Sequence, residues 1–377
     1  MARVPRILFI DDDSGKVRPI ATELATAGIA RARVLVPGEI TERDLDWADL
    51  LLVDFELADW PGRDNAPELA LKPRDGLALA AVLRRHTDAK DRRPPTAIAI
   101  FTGEYSRLLE PLGGAVGHHV AARLSGLEWA FEKSEPDFRR RVISLASAVQ
   151  ALPNEWGKAE GGAWKQIYKL LGWRSNTISR AVLDDIRECR PPVSVLSNWN
   201  HGLILLRWLL HRVLPYPTCV YSNAYLAARL GLDAESLENI VSDPRARLGR
   251  WLRTARYRGV LSDFCGPRWW RAEVERIIWK ATQGSVSDPM ALQKVLRREG
   301  GTRIQFLPNP RQHVVCVDQL LQPVSGSRPL DECVRIQPDD WPPFAAAAWV
   351  GREAVSADAA LGALVLAQDR SLGGGVP

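Results

Sequence analysis

Along the first 150 residues, apolar runs of strand length recur at Ile7–Ile10, Ala32–Val36, Leu50–Val53, Ala97–Phe101 and Leu127–Phe131, interrupted only by Arg33 and Glu128. Between them lie stretches with helical spacing of apolar positions: Gly15–Ala27, Thr41–Trp47, Asp75–Arg85 and His118–Leu124, with a last amphipathic stretch at Asp137–Leu152. Runs that are continuous rather than alternating fit strands covered by helices on both faces. The pattern predicts an α/β domain at 1–152: a doubly wound, five-stranded parallel sheet. The segment 58–74, between the third run and the helix after it, is longer than an ordinary strand-to-helix loop.

Beyond residue 152 the pattern changes. The stretch Leu152–Gly162, LPNEWGKAEGG, reads as a linker, with 153–162 separating two domains. A mostly α-helical region follows at 163–299, with helical spacing at Trp164–Leu171, Thr177–Cys189, Leu196–Leu214, Asn223–Leu230, Ser236–Val241, Ala246–Tyr257, Arg268–Ala281 and Asp288–Arg298. Short strand-like runs, RIQFL, HVVCVD and ECVRIQP, predict a small α+β segment at 300–357. Residues 358–377 read as a C-terminal helix and a mobile tail.

Composition narrows the class of protein. Apolar residues make up 46% of the 377 positions and charged residues 25%, the balance of a globular chain with real cores. The opening MARVPRILFIDDD is too short in its apolar part for a signal peptide, and Arg207, His211 and Arg212 interrupt the longest later apolar stretch. Five scattered cysteines (189, 219, 265, 316 and 333) without metal-ligand spacing point to unpaired thiols in a cytoplasmic protein. The net charge of +5 is uneven. Residues 1–155 carry 21 basic and 24 acidic side chains, and 156–377 carry 29 and 21, so an anionic partner would meet the second part.

The chemistry-bearing residues fall at the ends of the apolar runs. Asp11, Asp12 and Asp13 follow the first, Asp54 the third, Thr102 the fourth and Lys133 the fifth. In a parallel doubly wound sheet these ends converge on one crevice. Carboxylates brought together there repel unless a cation neutralises them, and a hard divalent ion such as Mg²⁺ suits an all-oxygen set. A hydroxyl and an ammonium beside them suit the oxygens of a phosphoryl group.

On these motifs, ILFIDDD, LLLVDFEL, AIAIFTG and WAFEK, residues 1–152 resemble the receiver domain of two-component response regulators, a flavodoxin-like fold. The resemblance implies Asp54 as phospho-acceptor and Thr102 and Lys133 as the residues that read the phosphoryl group. It implies Mg²⁺ held by Asp11, Asp12, Asp54 and the backbone carbonyl of Glu56. It also implies a histidine kinase or small acyl phosphate as donor. The chain departs from the family at four places. Ser134 and Glu135 separate Lys133 from Pro136, and the family's aromatic switch position falls on Ala130, between Trp129 and Phe131. Gly103 follows Thr102 where alanine is common, and 58–74 is inserted. In the WAFEKSEP segment and the linker, the chain also resembles receiver proteins of bacterial conflict or phage-defence loci.

Residues 156–377 match no family motif, and three outputs compete. One is a protein partner for the helical region, switched by phosphorylation of Asp54. A second is a transcriptional regulator binding DNA or RNA through a helix-turn-helix spacing at 226–241 (LAARLGLDAESLENIV), although Asp233, Glu235 and Glu238 on its second helix oppose phosphates. The third is a degenerate pseudo-receiver, acting as phosphoryl sink or scaffold. Arg245–Lys280 carries ten basic and three acidic residues interleaved with Trp251, Tyr257, Trp269, Trp270 and Trp279. That composition suits an anion surface or, equally, buried tryptophans flanked by solvated arginines. No nucleophile motif, phosphate-cradling glycine loop or zinc site predicts an independent enzyme, and nothing predicts a membrane partner.

Overall fold

The computed structural model describes residues 3–57, 60, 63, 73, 75–87, 95–110, 116–157, 160–174, 178–198, 202–285, 287–300, 304–308, 312–324 and 326–372. The chain divides into two compact units: 1–172 with 192–211 and 259–265, and 173–191 with 212–258 and 266–377.

The first unit is a doubly wound α/β domain. Its elements run β1 (Arg6–Ile10), α1 (Ser14–Thr26), β2 (Arg31–Leu35), α2 (Glu42–Trp47), β3 (Leu50–Val53), α3 (Gly76–Thr87), β4 (Ala97–Thr102), α4 (Tyr105–Leu109), α5 (His118–Leu124), β5 (Trp129–Glu132) and α6 (Phe138–Ala151). The five strands are parallel in the order β2-β1-β3-β4-β5. The apolar runs predict the doubly wound parallel sheet, and its strand order is the flavodoxin-like one that the resemblance implies. β3 and β4 are buried along their whole length because helices cover both faces. β2 is the exposed edge, where Arg31 and Arg33 alternate with less exposed positions, and charges there discourage pairing with a further strand. The helix α4 lies in a segment without helical apolar spacing and was not predicted.

Residues 153–162, read as a linker, pack closely where they are described. Leu152 and Trp156 are buried, and a Cβ on Gly202 would fall 2.7 Å from the Trp156 ring. Gly157 and Gly162 let two backbone segments touch, since a Cβ on Gly157 would lie 2.7 Å from the Gly162 Cα. The glycines that read as flexibility serve close approach instead. α7 (Glu160–Leu170), α9 (Val193–Asn198) and α10 (Leu203–Trp208) therefore belong to the first unit, not to a separate helical region. The single helix predicted at Leu196–Leu214 is two α-helices and a wider turn at Leu209–Val213.

The second unit begins with α8 (Ala181–Glu188), then β6 (Val220–Ser222), α11 (Asn223–Leu230), α12 (Ala234–Ser242), α13 (Arg247–Thr254), β7 (Arg268–Trp270), α14 (Arg271–Ala281) and α15 (Pro289–Glu299). β6 and β7 form a short antiparallel ladder that the sequence reading missed, because three-residue strands show no periodicity. The small strands follow: β8 (His313–Val314), β9 (Arg328–Pro329), β10 (Cys333–Ile336) and β11 (Ala348–Gly351), then α16 (Arg352–Ala357) and α17 (Ala359–Ala363). β10 pairs antiparallel with β11. RIQFL forms no strand in its described part, only a bridge from Phe306 to Leu232. Ahead of the expected tail, buried Asp369 holds the Arg335 guanidinium at 2.7 Å, and the tail beyond Leu372 lies outside the described residues. The five cysteines are thiols, but four lie in two neighbouring pairs: Cys189 with Cys219, and Cys316 with Cys333, whose sulfurs are 3.5 Å apart. No helix among the described residues is long and apolar enough to cross a membrane.

Candidate functional site

In the order β2-β1-β3-β4-β5 the chain reverses direction of growth between β1 and β3, and the crevice beyond the strand ends at such a point is where ligands bind in open α/β sheets. Asp11 and Asp12 leave β1 at that point and Asp54 leaves β3. The Asp54 amide donates to the Ile10 carbonyl (2.8 Å), so the two strand ends are stitched together. Asp11 is 1% exposed and Asp54 8%. Each of Asp11, Asp12 and Asp54 offers a carboxylate oxygen within 4.8 Å of the others, so the cluster could hold a metal ion.

The three consecutive aspartates divide their roles. Asp11 takes the Asp13 amide on Oδ1 (2.9 Å) and keeps Oδ2 for Lys133. Asp13 turns away to cap α1, accepting from the Gly15 amide (3.2 Å). Lys133 reaches across from the end of β5, with its Nζ 3.0 Å from Asp11 Oδ2 and 3.1 Å from Asp54 Oδ1. Burial pushes the Asp54 carboxyl up, Lys133 opposes it and Asp11 adds to it, and the balance leaves it at about 6. Burial and Asp11 both favour the protonated form of Asp54, and a metal ion held among these hard oxygen donors would oppose them.

Thr102 ends β4, 1% exposed, and its hydroxyl oxygen accepts from the Glu104 amide (3.0 Å). That leaves the hydroxyl hydrogen for another acceptor. The Lys133 amide donates to the Thr102 carbonyl (2.7 Å), coupling the two residues through the backbone. Glu56 sits in an isolated antiparallel bridge to Asp75, and its side chain pairs with Arg107 of α4. The segment 58–74 lies almost wholly outside the described residues.

Several contributors were not found in the sequence. Gly76 is one: a Cβ there would stand 2.0 Å from the Asp54 carbonyl oxygen, so α3 starts directly against the backbone of the acidic residue. Ala130 is fully buried in the sheet core, and the aromatic groups lie beside it. Tyr105 stacks on His118 (centroids 4.0 Å apart, 14° between planes), and His118 stacks in turn on Trp129 at 6.4 Å. The His118 Nδ1 lies 2.9 Å from the Ala130 carbonyl oxygen. Burial drives the Tyr105 hydroxyl well above its ordinary range, with Glu135 and Glu132 adding to it, so the ring stays a neutral phenol. No apolar spacing singles out these rings, and only the fold brings Tyr105 of α4, His118 of α5 and Trp129 of β5 together.

In the second unit, the 226–241 segment does form two helices, α11 and α12, joined at Gly231 in the left-handed region (φ +67°). The exposed positions of α12 include Glu235, Glu238 and Asn239. Of the interleaved aromatics, Tyr257, Trp269 and Trp270 are buried, Trp251 is half-buried and Trp279 is exposed. The chain matches no protein-family model, and no curated protein is significantly similar to it.

Proposed function

We propose that the α/β domain is a receiver-type phospho-acceptor, in which Asp54 takes a phosphoryl group from a histidine kinase or a small acyl phosphate in the cytoplasm. The observation that carries this reading is the convergence of Asp11, Asp12 and Asp54 at the β1/β3 crevice, with Lys133 bridging Asp11 and Asp54. A carboxylate oxygen of Asp54 attacks phosphorus. The bond from phosphorus to the donor's acyl oxygen or imidazole nitrogen breaks, and its electron pair leaves with the donor. Asp11, Asp12, Asp54 and the Glu56 carbonyl would hold Mg²⁺, which when bound neutralises charge on the phosphoryl oxygens. Lys133, released from its carboxylates, pairs with one of those oxygens, and the Thr102 hydroxyl donates to another. The rearranged Thr102–Lys133 edge then alters how the helical region meets a protein partner.

Intact-mass measurement after incubation with acetyl phosphate and Mg²⁺ tests the reading. One phosphoryl increment is expected for the wild type, with none for Asp54→Asn and none after chelation of the metal. If the folded wild type shows no increment with acetyl phosphate or with a histidine-kinase donor, phosphoryl acceptance is wrong and the acidic pocket is retained for docking alone.

A further inference from the structure

We propose that the exposed face of α13, not the second helix of the 226–241 motif, binds the phosphate backbone of double-stranded DNA. Arg245–Arg258 holds six arginines (245, 247, 250, 253, 256 and 258) and no acidic residue. The fold sorts them by face. Leu248, Gly249 and Leu252 of the eight-residue helix are buried, whereas Arg247, Arg250 and Thr254 are exposed at positions i, i+3 and i+7, one side of the helix. Arg245 precedes the helix and Arg258 follows it, both exposed. Among the described residues, the side chains of Arg245, Arg250 and Arg258 have no acidic partner. Arg247 meets Glu299 only at 3.5 Å while 61% exposed, a contact too solvated to withdraw its charge.

The helix is also held rigidly enough to present that face. α12 and α13 are separated by the four residues 243–246, the turn length of a helix-turn-helix. They cross at Gly249, where a Cβ would fall 2.0 Å from the Ile240 carbonyl oxygen. Arg253, the arginine turned inward, donates to the Val241 and Asp243 carbonyls and locks the turn. Beyond its C-terminus, the Trp270 amide donates to the Ala255 carbonyl (2.8 Å), which pins α13 to β7.

Charge and shape together select duplex DNA. A helix with one solvent-exposed arginine side suits the major groove of B-form DNA, whereas the major groove of duplex RNA is too narrow to admit a helix. Single strands call for exposed stacking rings. Here the Arg247 guanidinium covers Trp251 at 5.0 Å, Trp269 and Trp270 are buried, and the exposed Trp279 stands by itself on α14 rather than on α13. The exposed face has no apolar side chain to enter a membrane surface. This inference does not depend on phosphorylation of Asp54.

Fluorescence anisotropy of an end-labelled duplex, titrated with the full chain across a range of salt, is the test. Binding that weakens linearly in log–log coordinates is expected. The double substitution Arg245→Ala/Arg250→Ala should lower the slope by about 1.8 and weaken binding at least about tenfold at low salt. Glu235→Gln/Glu238→Gln on α12 should leave the slope unchanged. Both pairs are exposed, and matching melting curves by circular dichroism establish that the variants fold. The assignment is overturned by no duplex binding at low salt, by binding indifferent to the arginine substitutions, or by equal affinity for single-stranded DNA, duplex RNA or anionic phospholipid vesicles.

Discussion

At Asp54 two influences oppose each other: burial and Asp11 favour the protonated carboxyl, and Lys133 favours the carboxylate. The five side chains of this pocket, Asp11, Asp12, Asp54, Thr102 and Lys133, were legible because each lies within two residues of the end of an apolar run, and strand ends in a parallel sheet converge on one edge. Gly76 was not legible, because RDGLALA reads as an ordinary helix start. Its role appears only where α3 approaches the Asp54 carbonyl. Gly76→Ala must push these segments apart and should destabilise the protein by about 1–3 kcal/mol in urea unfolding. It should also slow phosphoryl uptake at Asp54. An alanine variant of wild-type stability and uptake would show that the loop yields freely and that the contact has no positional role.

Among the elements, β5 is anchored by a charge buried at its entry. Glu128 is fully buried, and its carboxylate is held by Arg84 of α3 (2.6 Å), Arg207 of α10 (2.7 Å) and the Ile98 amide of β4 (2.6 Å). Burial alone would raise its pKa, but the two guanidinium groups outweigh it and hold the carboxyl at about 2. Glu128→Ala would leave two arginines facing a buried void and should cost about 3–5 kcal/mol, read as a shift of the urea midpoint. A shift below about 0.5 kcal/mol would mean that water reaches the arginines and that the anchor is dispensable. The sequence shows an acid inside LEWAF, an anomaly in an apolar run. It does not show that the partners lie 44 residues before it and 79 after it.

For the molecule as a whole, the histidines tie folding to pH. Burial lowers His119 to about 3 and His211 to about 4, both in the first unit, and His211 Nε2 lies 2.9 Å from the Glu128 carbonyl oxygen. Both are neutral when folded and bind protons more readily when unfolded. Their contribution is therefore complete above the unfolded value of 6.5 and is lost as pH falls towards 4 and then 3. By pH 5 each should have cost about 2 kcal/mol, so the urea midpoint should drop between pH 7 and pH 5. His119→Gln/His211→Gln should flatten that slope. A midpoint that rises on acidification would refute the assignment.

The succession of strands and helices in the first unit, the residues at the strand ends and the charge difference between the two parts of the chain are set by local pattern, whereas the order of strands in the sheet is read from the structure. Apolar run length and the residue at each run's end survive without knowledge of distant contacts. The extent of the first unit was decided only by tertiary structure. Residues 192–211 and 259–265 join it because Arg207 reaches Glu128 and Phe264 packs edge-on against Trp129 at 4.8 Å. The same is true of the cysteine pairs and of which helix carries the basic face. The 226–241 spacing pointed to α12, whose exposed positions in the fold include Glu235, Glu238 and Asn239 and no basic residue. The side of α13 left to solvent depends on Ile240 and its neighbours covering the other side. A one-dimensional pattern states which residues must be buried somewhere, and the partner that buries them is fixed by the folded chain.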